Sequence, residues 1–424
     1  MTETVCTRKA RRVPRPVRLL LPAVAGALAL AGLAASTAGT AGAATSSVSV
    51  GPDYEMPFPC GDAWNGSSRS YHSPSPLSID WNRENDLGAM VVAAAPGVVT
   101  SVVDLGNRSY GRYIVVDHGN GRSTLYAHLS AFWSTPGEAV DQGTPLGLVG
   151  SSGGSTGPHL HFEERLNRVD HRSWFHRTLF TMGSTQASQN CGDAPVVGDW
   201  DGNGRTNVGI QHRTTAPSFQ LKRPGHPPLT IPFGWRTDQA LSGDWDGDGT
   251  IDIGVRRPSL QQFVLRGSRG RTTTITLGRV SDAGIAGDWD GDGRTDVGVW
   301  HPSTRVFTLR RADGSTSAVT FGSLGDRPVA GDWNGDGRAD LGVWSSSTST
   351  FTLRTVARSG AVSYAKVRWG NPRDLPVAGD WNGDGIDDVG VWDPVTATYW
   401  LRLTATATQR TALTRATVWG TPRG

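Results

Sequence analysis

From Pro195 onward the chain repeats itself, and the repeat restricts this half to one kind of architecture. The segment Gly-Asp-Trp-Asp/Asn-Gly-Asp/Asn-Gly begins at Gly198, Gly243, Gly287, Gly331 and Gly379. A period of about 45 residues belongs to arrays such as propellers, where one unit cannot bury its apolar face alone. Each unit carries four β-favouring runs; in the third they are Gly284 to Trp289, Asp296 to Trp300, Val306 to Arg310 and Ala318 to Phe321. Each unit then closes on an apolar residue followed by glycine: Phe233-Gly234, Leu277-Gly278, Phe321-Gly322, Trp369-Gly370 and Trp419-Gly420. Five starts and five endings predict five four-stranded units. A five-bladed β-propeller removes exposed sheet edges by closing on itself; an open stack of sheets is the alternative. The tryptophans at 200, 245, 289, 333 and 381 are expected to pack between blades rather than stack on carbohydrate, because they recur in register.

The loop that opens each repeat is acidic. Asp288, Asp290, Asp292 and Asp296 occupy positions one, three, five and nine, with Gly293 at six. That is the front of an oxygen cage for calcium. Position twelve is Val299, where an EF-hand would need Glu, so the loop belongs to a β context. The same positions hold Asp244, Asp246, Asp248 and Asp252; Asp332, Asn334, Asp336 and Asp340; and Asp380, Asn382, Asp384 and Asp388. The first loop, with Asp199, Asp201, Asn203 and Asn207, should bind most weakly. Metal-free turns are the plainer reading, since Asp, Asn and Gly favour turns. Converging carboxylates repel strongly unless a cation offsets them, which favours up to five structural calcium ions.

Upstream, residues 53–183 read as a compact antiparallel β-sheet domain. Apolar, β-branched runs recur at Met90 to Ala94, Gly97 to Val103, Tyr113 to Val116, Thr124 to Leu129 and Leu146 to Val149, separated by glycine-containing turns. No long amphipathic helix interrupts them, so the whole chain is expected to be all-β. Residues 184–194 read as a polar linker, and 195–424 as the propeller.

Residues 1–44 read as an export signal. Arg8, Lys9, Arg11, Arg12, Arg15 and Arg18 form a basic start, Leu19 to Ala35 an apolar core, and Ala41-Gly42-Ala43 a small-residue cleavage site. The chain is then expected to be secreted, by the general or the twin-arginine route. The signal carries most of the positive charge: its net +5 leaves about −2 of the chain's formal +3. No basic stripe remains to bind nucleic acid, and no later stretch is apolar enough to span a membrane. Of three cysteines, Cys6 lies in the signal; Cys60 and Cys191 bracket the first domain and are expected to pair in an oxidising compartment.

Candidate chemistry lies in Thr156-Gly157-Pro158-His159-Leu160-His161-Phe162-Glu163, which reads as a strand entered through Gly-Pro. Alternate residues of a strand share a face. His159 and His161 therefore point one way, and Leu160 and Phe162 the other, into a core. Paired imidazoles on an ordered strand suit a metal better than a core. His72, Asp80 and His128 complete a plausible zinc hydrolase set: three ligands, plus groups for proton transfer and oxyanion stabilisation. Glu163 shares the histidine face and reads as a supporting residue. His118 and the remaining histidines read as structural.

These residues resemble the lysostaphin/LytM-type zinc endopeptidases, which cut peptide cross-links in bacterial cell walls. The resemblance rests on Ser78-Ile79-Asp80-Trp81, Asp117-His118-Gly119-Asn120-Gly121, Tyr126-Ala127-His128-Leu129 and the strand around His159 and His161. It implies that His72, Asp80 and His161 bind one catalytic zinc, while His128 and His159 act on water and oxyanion. One departure stands out. Many members keep the first His and the Asp three residues apart, whereas residues 73–79 lie between them here. Glu84 and Asp86 are substitute carboxylates. The acidic loops resemble FG-GAP/VCBS-type repeats of integrin-like propellers, which implies structural calcium and a binding or spacing module.

The expected protein is a secreted, monomeric zinc endopeptidase acting on peptidoglycan, tethered to a cell-wall or glycan target by its propeller. Two rivals remain. One is an inactive peptidase fold that activates a wall amidase; the other is a secreted adhesin.

Overall fold

Alternating apolar and polar residues dominate both halves, and both fold as strands. The structure, a computed structural model, describes residues 54–68, 75–403 and 413–422. The expected signal and His72 lie outside the described residues. Among the described residues every regular element is a strand except a single 3-10 turn at Pro258–Leu260.

The first half is a mixed-length antiparallel sheet. Its strands run in the order Ser184–Ala187, Ala63–Ser67, Ile79–Asn82, Leu160–Leu166, Arg122–Ala127, Arg112–Gly119, Gly97–Asp104 and Ala139–Val140. Val169–His171 adds to the far end of Leu160–Leu166. A smaller sheet of Met90–Val92, Pro145–Leu148 and Ala131–Phe132 lies beside it. One face buries a single core in which Phe58 stacks on Trp64 with ring centroids 3.8 Å apart, joined by Trp81, Phe162, Phe175 and Phe180. Leu160 and Phe162 enter that core fully buried, so the histidines between and before them must face the other way.

The polar segment expected as a linker at 184–194 is structured. Ser184–Ala187 pairs with Ala63–Ser67 as the edge strand, and Asp193 already opens the first propeller blade. Ser188 Oγ donates to the Phe58 carbonyl, and Asn190 Nδ2 donates to the carbonyls of Met56 and Ala93. Polar composition misleads here for two reasons: an edge strand tolerates polar residues, and buried Ser and Asn satisfy backbone carbonyls. The Cys60–Cys191 disulfide forms, with Cα atoms 4.8 Å apart.

The second half is five four-stranded antiparallel sheets. Each interblade core combines one unit with the second strand of the next. Ile285, Trp289 and Phe307 of the third unit, for example, pack with Leu341 and Val343 of the fourth. The fifth unit packs the same way on the first: Leu375, Val377 and Trp381 share a core with Val208 and Ile210. The first and last units therefore share a core, the arrangement expected of a five-bladed ring. The hydrogen bonds repeat around it. Asp238, Asp282, Asp326 and Asp374 each accept from the backbone N–H of the residue three before. At the seam Asp193 accepts instead from Thr421 N, at 2.7 Å. The two ends of the repeat region therefore meet through a side-chain bond, with each sheet built from consecutive strands. The loop tryptophans pack in the interblade cores as expected, Trp381 completely buried and Trp245 only partly.

The two halves touch. Arg236 pairs with Asp62 at 2.7 Å and also donates to the Cys60 carbonyl. Arg327 pairs with Asp141 at 2.7 Å, and Gly325 N donates to the Gly137 carbonyl at 2.8 Å. Between them lies a cavity of about 260 Å³ lined by Glu138 and Asp141 from one side and Arg213, Gln239, Asp282 and Arg327 from the other.

Candidate metal centre

Strand register assembles the centre. Asp80 is the direct cross-strand partner of His161 on one side, and Ala127 is its partner on the other. The small Ala127 leaves room above the sheet, and the next residue, His128, turns out of the strand with φ +62°. A positive φ at a non-glycine residue is uncommon and collects at functional sites. The His128 ring lies 4.8 Å from that of His159 and 5.7 Å from that of His161.

Backbone carbonyls set the tautomers. Ser152 O is 2.7 Å from His128 Nδ1, and Gly157 O is 2.9 Å from His159 Nδ1. A carbonyl only accepts, so both rings carry hydrogen on Nδ1. His159 Nε2 lies 3.5 Å from Asp80 Oδ1. His161 is oriented oppositely: Nδ1 is 3.2 Å from Asp80 Oδ1, and Nε2 is 2.9 Å from Glu163 Oε1. Two glycines make the scaffold possible. Gly111 (φ +58°) and Gly153 (φ +74°) press backbone to backbone, and a Cβ on either would collide with the other's segment. That contact holds the Ser152 carbonyl behind His128.

The electrostatics follow from burial and neighbours. Burial depresses His161, but the Asp80 and Glu163 carboxylates outweigh it and hold its pKa above the usual value. Burial raises Glu163, yet His161, Tyr110 and Arg165 bring it below the usual carboxylate range. Burial pushes His128 down to about 4, helped by the neighbouring imidazoles and opposed by the Ser152 carbonyl. His128 is thus neutral at neutral pH.

The donor set fits zinc. Two ligands about 2.0–2.1 Å from a tetrahedral zinc stand about 3.3–3.4 Å apart. The Asp80 Oδ1–His161 Nδ1 separation of 3.2 Å is close to that edge. The proton on His161 Nδ1 is the one a cation would displace.

Of the five side chains expected at the site, the structure brings together Asp80, His128, His159 and His161; His72 lies outside the described residues. Glu84 is exposed, and no hydrogen bond among the described residues ties it or Asp86 to the histidines. The His118 ring contacts Pro96 O and Thr124 Oγ1 and meets Tyr54 edge-on, and no hydrogen bond among the described residues ties it to Asp80, His159 or His161. Sequence reasoning missed Tyr110 and Arg165, both bonded to Glu163. Alternation along the strand could have found Arg165; nothing local marks Tyr110.

The acidic loops show a different arrangement. The position-one carboxylate of every loop accepts N–H bonds from both loop glycines; Asp288 takes those of Gly291, Asp292 and Gly293. The equivalent bonds reach Asp199, Asp244, Asp332 and Asp380. Backbone bonding therefore satisfies the position-one carboxylates, whereas buried oxygens of Asp201, Asp252, Asp290 and Asp336 have no hydrogen-bond partner. Among the described residues, carboxylate oxygens gather within 4.8 Å of one another in two loops only: Asp244, Asp246 and Asp248, and Asp288, Asp290 and Asp296. Burial first, and neighbouring carboxylates second, push Asp252 up to about 7 and Asp296 up to about 6.

Residues 78–172 match peptidase family M23, and residues 288–343 match an FG-GAP-like repeat. The DD-carboxypeptidase/endopeptidase Mpg of Neisseria meningitidis is 50% identical over 80 residues, 19% of this chain and 18% of that protein. Peptidoglycan DD-endopeptidase ShyA of Vibrio cholerae is 42% identical over 78 residues, 18% of this chain and 17% of that protein. Murein hydrolase activator EnvC of Escherichia coli is 36% identical over 83 residues, 18% of this chain and 20% of that protein. A zinc-containing peptidase from Vibrio cholerae aligns over 28% of this chain and 39% of its own at 25% identity, with a TM-score of 0.24. The chain spans about a fifth of the length of the curated relatives it matches. This chain carries a domain of peptidase family M23, followed by FG-GAP-like repeats.

Proposed function

We propose that this protein is an exported zinc metalloendopeptidase that hydrolyses peptide cross-links of bacterial peptidoglycan. One observation carries the reading: Asp80 and three imidazoles converge, each ring orientation set by a second hydrogen bond. The Neisseria and Vibrio relatives, a DD-carboxypeptidase/endopeptidase and a peptidoglycan DD-endopeptidase, support peptidoglycan as substrate and the D,D cross-link as the bond.

Asp80, His161 and, by the resemblance, His72 would hold the zinc. When bound, it would supply Lewis acidity and bring the pKa of water near 7. The chain's own residues do the rest. His128 and His159, bonded through Nδ1 to backbone carbonyls, have Nε2 left for the reaction, where each in its neutral form can accept a proton from the attacking water. Once protonated, the same atoms can donate to the oxyanion and to the leaving amine. Ser152 and Gly157 carbonyls keep both rings aimed.

The Escherichia coli relative, a murein hydrolase activator, favours a second reading, a non-catalytic activator. The retained Asp80, His128, His159 and His161 argue for catalysis. Purified protein should carry about one zinc per chain and clear cell-wall suspensions. His159→Ala should lose clearing, by about 10²-fold or more, while keeping its metal; full activity in that variant would remove the role given to His159. Walls of different cross-link type, followed by identification of new amino termini, would fix the bond.

For the propeller we propose a target-binding role and structural calcium in the second and third loops, supported by the converging carboxylates. Adding calcium to chelator-treated protein should raise the propeller's melting temperature; no shift would leave the loops as metal-free turns.

A further inference from the structure

The histidine strand continues beyond its metal-facing residue in a way that the proposed zinc chemistry does not use. Glu163 is completely buried, and a buried carboxylate is costly unless donors satisfy it. Here three do. Glu163 Oε1 accepts from His161 Nε2 at 2.9 Å and from the Tyr110 hydroxyl at 2.7 Å. Glu163 Oε2 accepts from Arg165 Nε at 2.5 Å. Arg165 Nη2 donates to the Tyr110 hydroxyl at 3.1 Å, closing a loop of bonds. Strand parity puts His161, Glu163 and Arg165 on one face, while Tyr110 arrives from the turn between Gly97–Asp104 and Arg112–Gly119. The Tyr110 carbonyl also accepts from His128 N at 3.0 Å. One residue therefore braces two of the site's imidazoles, one through its hydroxyl and one through its backbone.

We propose that Glu163, Tyr110 and Arg165 form a clamp that fixes the tautomer and ring orientation of His161, and so act as positioning residues for the zinc. This rests on the zinc reading above. An imidazole that ligates through Nδ1 must carry its hydrogen on Nε2. The Glu163 carboxylate accepts that hydrogen and makes the ring a more basic ligand. Tyr110 and Arg165 prevent the carboxylate from turning away. His161 is distinguished from His128 and His159, whose rings are fixed by backbone carbonyls and present the other nitrogen.

The test measures zinc affinity of the full chain by competition with a chelator, and the visible absorption of the cobalt-substituted protein. Melting of the metal-free protein is followed in parallel. Glu163→Ala should weaken zinc binding 10–100-fold and shift the cobalt spectrum. Glu163→Gln, which keeps an acceptor for Nε2–H, should recover part of the loss. Tyr110→Phe should weaken binding by a smaller factor and leave metal-free melting close to that of the parent. A parent-like zinc affinity in Glu163→Ala would overturn the clamp and reduce the three residues to a structural ion pair. If Glu163→Ala does not fold, Tyr110→Phe decides: unchanged affinity and an unchanged cobalt spectrum overturn the proposal. A parent protein that takes up no zinc would instead overturn the function proposed above, and the clamp with it.

Discussion

The peptidase sheet and the propeller solve the same problem, burying apolar faces of antiparallel strands, by opposite means. The sheet uses one core that occurs once. Phe58, Trp64, Trp81 and Phe162 each have a unique environment, and the face opposite is left for Asp80, His159 and His161. The propeller uses five equivalent cores, and its hydrogen bonds repeat from blade to blade. The proposed chemistry sits where symmetry is absent. A catalytic centre needs unlike groups at unlike positions, and only the aperiodic sheet supplies them.

That contrast predicts different responses to substitution. The largest effect should come from His161→Ala, which removes a proposed ligand that exists once. Wall hydrolysis should fall by about 10³-fold or more, the scale of losing a main electrostatic stabiliser, with the propeller's unfolding transition unchanged. Retained hydrolysis would refute the zinc role. Next, Trp381→Ala at the closing seam and Trp333→Ala at an internal seam should each cost about 3–5 kcal/mol, read by chemical denaturation. Equal costs would show that the seam is an ordinary interblade core. A much smaller cost at Trp381 would show that the ring opens there.

The disulfide ties the ends of the peptidase half, 131 residues apart in sequence. Replacing Cys60 and Cys191 by Ser should lower the stability of that half by about 2–4 kcal/mol. The propeller should be affected less, because neither cysteine lies in an interblade core. Thermal unfolding with two resolved transitions would check this.

The smallest effect concerns the junction. Burial pushes Glu138 up to about 8, with Asp282 adding to the rise and Arg256 opposing it. Its ordinary value is near 4.5, so the folded state holds the proton more tightly than the unfolded one. Stability should therefore decline as pH rises from about 4.5 toward 8. Glu138→Gln keeps an acceptor for the Thr135 N–H and should flatten that decline, making the variant more stable than the parent at pH 8. An unchanged pH profile would mean that Glu138 is ionised when folded.

Much of this was legible in the sequence because it follows from period. A period of two along Leu160–Leu166 placed the histidines opposite the core. A period of about 45 residues gave the blade count and the buried loop tryptophans. The linker was misread because edge strands and buried polar residues share the composition of loops. Tyr110 was missed because no local pattern marks a side chain that reaches its partner, Glu163, across 53 positions.

The amino-acid order alone determined which residues alternate, which repeat, and which histidines could share a face, because these are properties of neighbours along the chain. Tertiary structure decided the rest. It joined the first and last repeats through Asp193 and Thr421, seated Arg236 and Arg327 against the peptidase half, bonded the imidazoles of His128 and His159 to backbone carbonyls, and gave the position-one carboxylates of the acidic loops their backbone N–H donors. Each depends on distances between residues remote in sequence, which are fixed only when strands choose their register and cores exclude water.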